Sequence, residues 1–417
     1  MTERSLADWL SRLEGLHPTE IDLGLDRVRE VATRMSLLPT LAKSVIVAGT
    51  NGKGSVVSLL ERALTAEGVH CGAYTSPHLR QFNERIRVDG VPVADTEITA
   101  AFTEIERARG TISLTYFEFA TLAALRVFRQ KGVTWQILEV GLGGRLDAVN
   151  IIDADVSVVT SIGLDHQEWL GPDREHIAIE KAQVARRDRP CVVLDESPPE
   201  TLLPALEEIG ATTLLLGRDF RIRGDTLLTR AGVACPLPRP EGLLANNVAG
   251  AVQAWELMGF DPSSLAGAHA MGGVQLPGRR QALLIDDVEW VFDVAHNRES
   301  VAALLSWCDE RPISGQTSAI YASLSDKPFH DILSAVGGRV QHWFFPRFPD
   351  MPRAADPHDF PALARGGSAQ VCDNFDAAWE QTVCGVKPGD RVLVFGSFVT
   401  VGAGLARVAR AESPAES

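Results

Sequence analysis

Short apolar runs alternate along this chain with stretches whose apolar positions recur every three to four residues. The first clear run, Val45-Ile46-Val47, predicts a buried strand that stops at Gly49. From Ser55 onward Val56, Leu59, Leu60, Ala63 and Leu64 follow one face of a helix, and Gly68 supplies a stop. Upstream, 6–38 reads as helical with a break at Ile21-Asp22-Leu23-Gly24. Further strands are predicted at 69–74, 133–140 and 155–161, and helices at 95–107, 116–131 and 174–187. The segment 81–93, around Glu84-Arg85-Ile86-Arg87, reads as polar and irregular, and shorter pieces of both kinds fill the chain to Gly273.

Leu276-Pro277-Gly278-Arg279 reads as a hinge, after which the alternation becomes regular again. Strands at 288–294, 318–323, 340–345 and 391–395 interleave with helices at 300–308, 330–336 and 376–383, the pattern of βαβ units and a mostly parallel sheet. The expectation is an α/β protein of two domains, 1–275 and 276–417, with the linker near 276–281. The first has a phosphate-loop-type, mostly parallel sheet flanked by helices. The second is a smaller Rossmann-like α/β domain.

A chain of 417 residues is too long for one ordinary core, which agrees with two domains. Hydrophobic residues at 45% with charged residues at 23% place it among soluble globular proteins. No apolar run approaches the roughly 18 residues of a membrane-spanning helix. The opening MTERSLADWLSRLEGL alternates like an amphipathic helix and carries acidic residues early, unlike an export signal. A net charge of −14 argues against a nucleic-acid partner while leaving room for a small anion in a local basic pocket, and it suits a soluble monomer. The six cysteines form no CxxC pair and read as buried thiols in a reducing cytoplasm.

The chemistry starts at Thr50-Asn51-Gly52-Lys53-Gly54-Ser55. A glycine-rich turn between a strand and a helix N-terminus suits phosphate, because backbone N–H groups can point inward and a lysine adds charge. The general phosphate-loop pattern is met imperfectly: Val47 stands where it wants glycine, and Gly54 separates Lys53 from Ser55. A tight turn with an incidental lysine is the alternative reading. Three other predicted strands end in Ser76, Glu139 and Asp165-His166, and open α/β sheets bind ligands outside such ends. A hydroxyl, a carboxylate and an imidazole beside a phosphate loop suit a metal–nucleotide site. Each also has a structural alternative: Ser76 as a cap before Pro77, Glu139 paired with Arg145, His166 orienting a loop. In the second domain Asp293 and His296 sit at a strand end, where Asn297 would serve as a plain helix cap.

The stretches AGTNGKGS (48–55), YTSPHL (74–79), TYFEFATLAAL (115–125), LEVGLGGRLDAVNI (138–151), TSIGLDHQEWLGPDRE (160–175), LPGR (276–279) and FDVAHN (292–297) together resemble the bifunctional dihydrofolate synthase/folylpolyglutamate synthase family, within the Mur-ligase-like ATP-dependent amide ligases. The resemblance runs in order from 21–28 to 396–401. It implies a first domain like the Mur-ligase central domain and a second that closes over ATP and binds glutamate. It also implies ligation of L-glutamate to dihydropteroate, and to the γ-carboxyl of reduced folates, through an acyl phosphate. Thr50 to Ser55 would hold the ATP phosphates, with Lys53 stabilising the transferring charge. Ser76, Glu139 and His166 would be Mg²⁺ ligands. Lys181 would carry a CO₂-derived carbamate able to hold a second ion. Thr115, Phe117, Glu118, Asp147 and Ala148 match pteroate-binding segments, with Phe117 stacking on the pterin. Asn247, Arg279 and Asp293 match positions that contact ATP.

Three residues depart from the family pattern: Gln183 in place of glycine, Arg298 in place of proline, and Val399 where relatives often carry histidine. The rival readings are a hydrolysing phosphate-loop switch, disfavoured by the lack of an NKxD motif, a cell-wall Mur ligase acting on another carboxylate, and a non-catalytic nucleotide-binding module. The residues leave open whether one folate activity is present or both.

Overall fold

A computed structural model of the chain describes residues 4–17, 21–362, 364 and 367–412. It divides into two compact units, Met1–Val274 and Gln275–Ser417. Residues 18–20, within the expected helical stretch 6–38, and residues 1–3 before it lie outside the described residues. Of the expected helical stretch 6–38, Leu6–Glu14 and Asp26–Arg34 are helices; Ile21 to Gly24 break it as expected, and 15–17 and 35–38 are not helical either.

In the first unit the apolar run at 45–47 becomes β1 (Lys43–Ala48), buried in all but its first residue. It is followed by β2 (Cys71–Tyr74), β3 (Ile86–Val88), β4 (Val91–Pro92), β5 (Trp135–Glu139), β6 (Val156–Val159), β7 (Pro190–Val193) and β8 (Thr212–Leu215). They form one eight-stranded sheet in the order β4-β3-β2-β5-β1-β6-β7-β8. From β2 to β8 every neighbouring pair is parallel. Parallel neighbours require crossovers, which the helices Lys53–Ala66, Tyr116–Lys131 and Arg174–Ala182 help to supply. The four strands that carry candidate residues at their ends, β2, β5, β1 and β6, are immediate neighbours in space.

Three expectations for this unit need correction. The segment 81–93 is not irregular: a 3-10 turn at Phe82–Arg85 leads into β3, whose buried Ile86 pairs with Tyr74 and extends the sheet antiparallel. The helix after β1 begins at Lys53 rather than Ser55, with Gly52 as its cap at φ +91°. The helix expected over 174–187 ends at Ala182. Asn150 Nδ2 donates to the Gln183 carbonyl there, and Arg186 turns away to Asp153 and Asn150, so side chains take over what another helical turn would satisfy.

A small antiparallel sheet, β9 (Arg221–Arg223), β10 (Thr226–Leu228) and β11 (Ala234–Pro236), precedes the helix Ala245–Leu257. The second unit holds β12 (Gln281–Ile285), β13 (Val288–Asp293), β14 (Thr317–Tyr321), β15 (His342–Pro346), β16 (Ser368–Cys372) and β17 (Arg391–Phe395) in the order β12-β13-β17-β14-β15-β16. Only β12 runs antiparallel to its neighbour. Its core gathers Tyr321, Phe345, Phe360 and Phe395, with Tyr321 and Phe395 rings 4.9 Å apart. All six cysteines are free thiols; five are buried as expected, while Cys384 is exposed. Among the described residues no helix is long and apolar enough to cross a membrane.

Candidate active site

The loop after β1 is held by the end of β6. Thr50 N–H donates to the Ser161 carbonyl at 2.7 Å and Asn51 N–H to Ser161 Oγ at 3.2 Å. Thr160 Oγ1 donates to the Asn51 carbonyl at 2.7 Å, and Gly163 N–H donates to Thr50 Oγ1 at 3.0 Å. Gly49, at φ +144°, lies so close to Thr160 that a Cβ there would fall 1.7 Å from its Oγ1, so no larger residue fits. Gly52 lies against the side chain of Asn247, a buried residue of the helix Ala245–Leu257. Thr160 and Ser161 were not among the sequence candidates. Their signal was two hydroxyl residues directly after an apolar strand.

Lys53, in the first turn of the helix, folds back so that Nζ donates to the carbonyls of Gly49, at 3.0 Å, and Thr50, at 3.2 Å. Lys181 reaches the same Gly49 carbonyl from the helix Arg174–Ala182, also at 3.0 Å, although the two are far apart in sequence. Burial, with Lys53 nearby, pulls the Lys181 ammonium down to about 7, against the opposing pull of Asp165, Asp147 and Glu180. Two lysines thus converge on one backbone oxygen, and burial of one of them holds its ammonium well below the ordinary lysine range.

Glu139 is the last residue of β5 and is 4% exposed. Its Oε2 accepts the Ser76 N–H at 3.1 Å and lies 3.4 Å from the position of a Cβ on Gly54. One carboxylate therefore sits between the loop after β2 and the helix start after β1. Arg145, the alternative partner for Glu139, gives its Nε to Glu180 at 2.9 Å. His166 caps the short helix Gln167–Leu170 at φ +52°, with its N–H on Asp165 Oδ1 at 3.0 Å. Among the described residues no three His, Cys, Asp or Glu side chains gather as they would around a metal held by protein alone. The donors present, a carboxylate, a hydroxyl and an imidazole on neighbouring strand ends, fit a divalent ion that takes most of its ligands from phosphate and water.

The five expected pteroate residues fall into two tied groups. Thr115 and Glu118 form a capping box at the start of the helix Tyr116–Lys131: Glu118 N–H donates to Thr115 Oγ1 at 3.2 Å, and Thr115 N–H to Glu118 Oε2 at 2.8 Å. Arg27 Nη2 donates to the other carboxylate oxygen of Glu118 at 3.2 Å. Both side chains thus fix the turn that presents Phe117, whose ring packs on Gly141 and lies 5.9 Å from that of Tyr74. Asp147 caps the 3-10 turn Ala148–Ile151 through Val149 N–H and also accepts the Leu142 N–H, closing the loop between them. Burial raises its carboxyl to about 6, opposed by those N–H groups and by Lys53. Ala148 is buried in that turn.

In the second unit Asp293 ends β13, accepting the Arg280 N–H at 2.8 Å and the Ala295 N–H at 2.7 Å. Burial raises its carboxyl, and Arg279 opposes the shift. The Arg279 guanidinium lies 5.3 Å from the ring centre of Phe398. Asn297 is the plain helix cap expected as the alternative there, accepting the Ser300 N–H.

A strand–loop–helix cradle at the end of an interior strand of a mostly parallel sheet, followed by a second α/β unit, defines the Mur-ligase type of architecture. Residues 278–398 match the family described as Mur ligase, glutamate ligase domain. Over 405 residues the chain is 40% identical to the dihydrofolate synthase/folylpolyglutamate synthase of Escherichia coli strain K12, covering 95% of this chain and 94% of that one. The structure of E. coli FolC in complex with DHPP and ADP superposes with a TM-score of 0.93 at 39% identity, covering 98% of this chain and 99% of that one. A bifunctional folylpolyglutamate synthase/dihydrofolate synthase with Mn, AMPPNP and L-glutamate bound superposes at 0.90 and 36% identity, covering 97% and 98%. The chain belongs to the dihydrofolate synthase/folylpolyglutamate synthase family.

Proposed function

We propose that this enzyme ligates L-glutamate to dihydropteroate, and to the γ-carboxyl of folate glutamate tails, at the expense of ATP. The observation that carries the reading is the nearly full-length match, at 40% identity, to an enzyme named for both activities. The local geometry supports the chemistry. ATP phosphorylates the substrate carboxylate, the amine of L-glutamate attacks the acyl phosphate, and phosphate leaves from a tetrahedral intermediate. The protein's part is to position these groups and neutralise phosphate charge.

In this reading residues 50–55 cradle the phosphates, and Lys53 leaves its carbonyl partners to meet the transferring group. Ser76, Glu139 and His166 would hold Mg²⁺, which would supply charge neutralisation on the phosphates. Lys181, pulled down to about 7, is poised to take up CO₂ with loss of a proton. The neutral amine is the form that reacts, and the resulting carbamate would be an anionic ligand able to hold a second ion. Phe117, presented by the Thr115–Glu118 capping box, stacks on the pterin beside the loop that Asp147 and Ala148 close. Asn247 joins the nucleotide contacts of the first unit; in the second unit Arg279 and Asp293 are assigned to nucleotide, and that unit to glutamate. The net charge of −14 and the free thiols support a monomer in the cytoplasm.

Incubation with MgATP, L-glutamate and either dihydropteroate or tetrahydrofolate, followed by mass spectrometry, tests the reading. A glutamylated product from each is expected. Product from only one reduces the enzyme to a single activity, and product from neither refutes the proposal.

A further inference from the structure

We infer that Arg87, anchored on Glu61, is a positioning residue that sets the Ser76 loop against Glu139 and the start of the phosphate-loop helix. This rests on the metal reading proposed above and adds residues which that reading leaves without a role. Glu61 lies about two turns beyond Lys53 on the same helix, Lys53–Ala66, and is buried. It meets Arg87 of β3 through a forked pair: Arg87 Nε lies 3.0 Å from both carboxylate oxygens, and Nη2 lies 2.7 Å from Oε2. The remaining nitrogen, Nη1, reaches into the loop that follows β2. It donates to Thr75 Oγ1 at 2.9 Å and to the Glu84 carbonyl at 2.6 Å.

The far side of the same loop is closed by Glu84. Its carboxylate accepts three successive N–H groups, from Leu79 at 2.7 Å, Arg80 at 3.0 Å and Gln81 at 2.9 Å. Thr75 N–H donates to the Arg85 carbonyl at 2.9 Å. Residues 75–84 are thus gripped at both ends, and Ser76 N–H emerges between the grips onto Glu139 at 3.1 Å. The guanidinium fork spends two nitrogens on the helix that bears Lys53 and one on the loop that bears Ser76. It therefore fixes the spacing of two strand ends that share Glu139. A lysine cannot reproduce this, because an ammonium has no planar fork. Outer partners of this kind typically change metal affinity 10- to 100-fold.

The test reads metal binding directly, as Mn²⁺ binding in the presence of ADP followed by electron paramagnetic resonance. Arg87→Lys, and separately Thr75→Val, which removes the hydroxyl link without unpairing Glu61, should each weaken Mn²⁺ binding about tenfold. Ser76→Ala should weaken it as a reference. Arg126→Ala, which breaks a partly exposed pair with Glu104 elsewhere in the unit, should not change it. Wild-type Mn²⁺ affinity in Thr75→Val, with Ser76→Ala weakened, overturns the inference while leaving the metal reading intact. Wild-type affinity in Ser76→Ala as well overturns both. Should Arg87→Lys fail to fold, Thr75→Val decides alone.

Discussion

Replacing Gly52 by alanine probes the cradle at the point where backbone and neighbour leave least freedom. Gly52 stands at φ +91°, ψ −5°, where an L side chain costs about 1–2 kcal/mol. A Cβ there would lie 2.4 Å from Asn247 Nδ2, 2.6 Å from Oδ1 and 2.8 Å from Cγ. Asn247 is buried on the helix Ala245–Leu257 and cannot swing into solvent, so the contact adds the roughly 1–3 kcal/mol typical of overpacking. The loop's backbone is tied to Ser161 through Thr50 N–H, and the Thr50 hydroxyl to Gly163 N–H, so relaxation on that side breaks hydrogen bonds. Gly52→Ala should therefore destabilise the first unit by about 2–5 kcal/mol, the sum of these two costs. Urea unfolding measures that loss, and calorimetric titration should show ADP binding weakened more than tenfold. The double variant Gly52→Ala/Asn247→Ala removes the clash but not the φ strain. Its stability should exceed the sum of the single effects by about 1–3 kcal/mol, a coupling a double-mutant cycle reads directly. Wild-type ADP affinity in Gly52→Ala, or strict additivity in the cycle, would refute the reasoning.

Lys181→Met should separate stability from activity. Lowering an ammonium from its ordinary 10.5 to about 7 costs on the order of 4–5 kcal/mol below pH 7, at about 1.4 kcal/mol per tenfold change in protonation. Between pH 7 and 10.5 the unfolded chain holds the proton that the folded chain has shed, so the wild type gains stability as pH rises through that window. In CO₂-free buffer the methionine variant should be more stable than the wild type at pH 6 and lose this slope, yet be inactive; parallel slopes in urea unfolding across pH would count against it. Lys53→Ala and His166→Ala should each abolish turnover with melting curves close to wild type, since Lys53 opens a helix and His166 caps one, and neither belongs to a buried apolar face. Cooperative unfolding lost in either variant by circular dichroism would show a structural role instead.

What the sequence disclosed follows from how local each signal was. The apolar runs at 45–47, 135–139, 156–159 and 391–395 are strands because nearly every side chain in them is buried, and burial leaves a plain mark in composition. Glu139 stood out because a carboxylate ending an apolar run is costly without a partner, and Ser76 and His166 because open α/β sheets bind ligands outside their strand ends. The partners themselves were not legible. Lys181 and Gly49 meet across 132 residues, and Glu61 meets Arg87 across 26, with no periodicity to announce either. β3 was missed because its three residues sit among charges, and only pairing with β2 makes them a strand. The capping box of Thr115 and Glu118 was present in the spacing but passed unread. Both residues were assigned to a ligand, whereas the fold uses them first to start a helix.

ADP release with L-glutamate, offered in turn dihydropteroate, tetrahydrofolate and a muramyl nucleotide, tests the central claim most directly. The account predicts glutamate-dependent release with both pterins and none with the muramyl nucleotide. Silence with both pterins, or release that ignores glutamate, would contradict it.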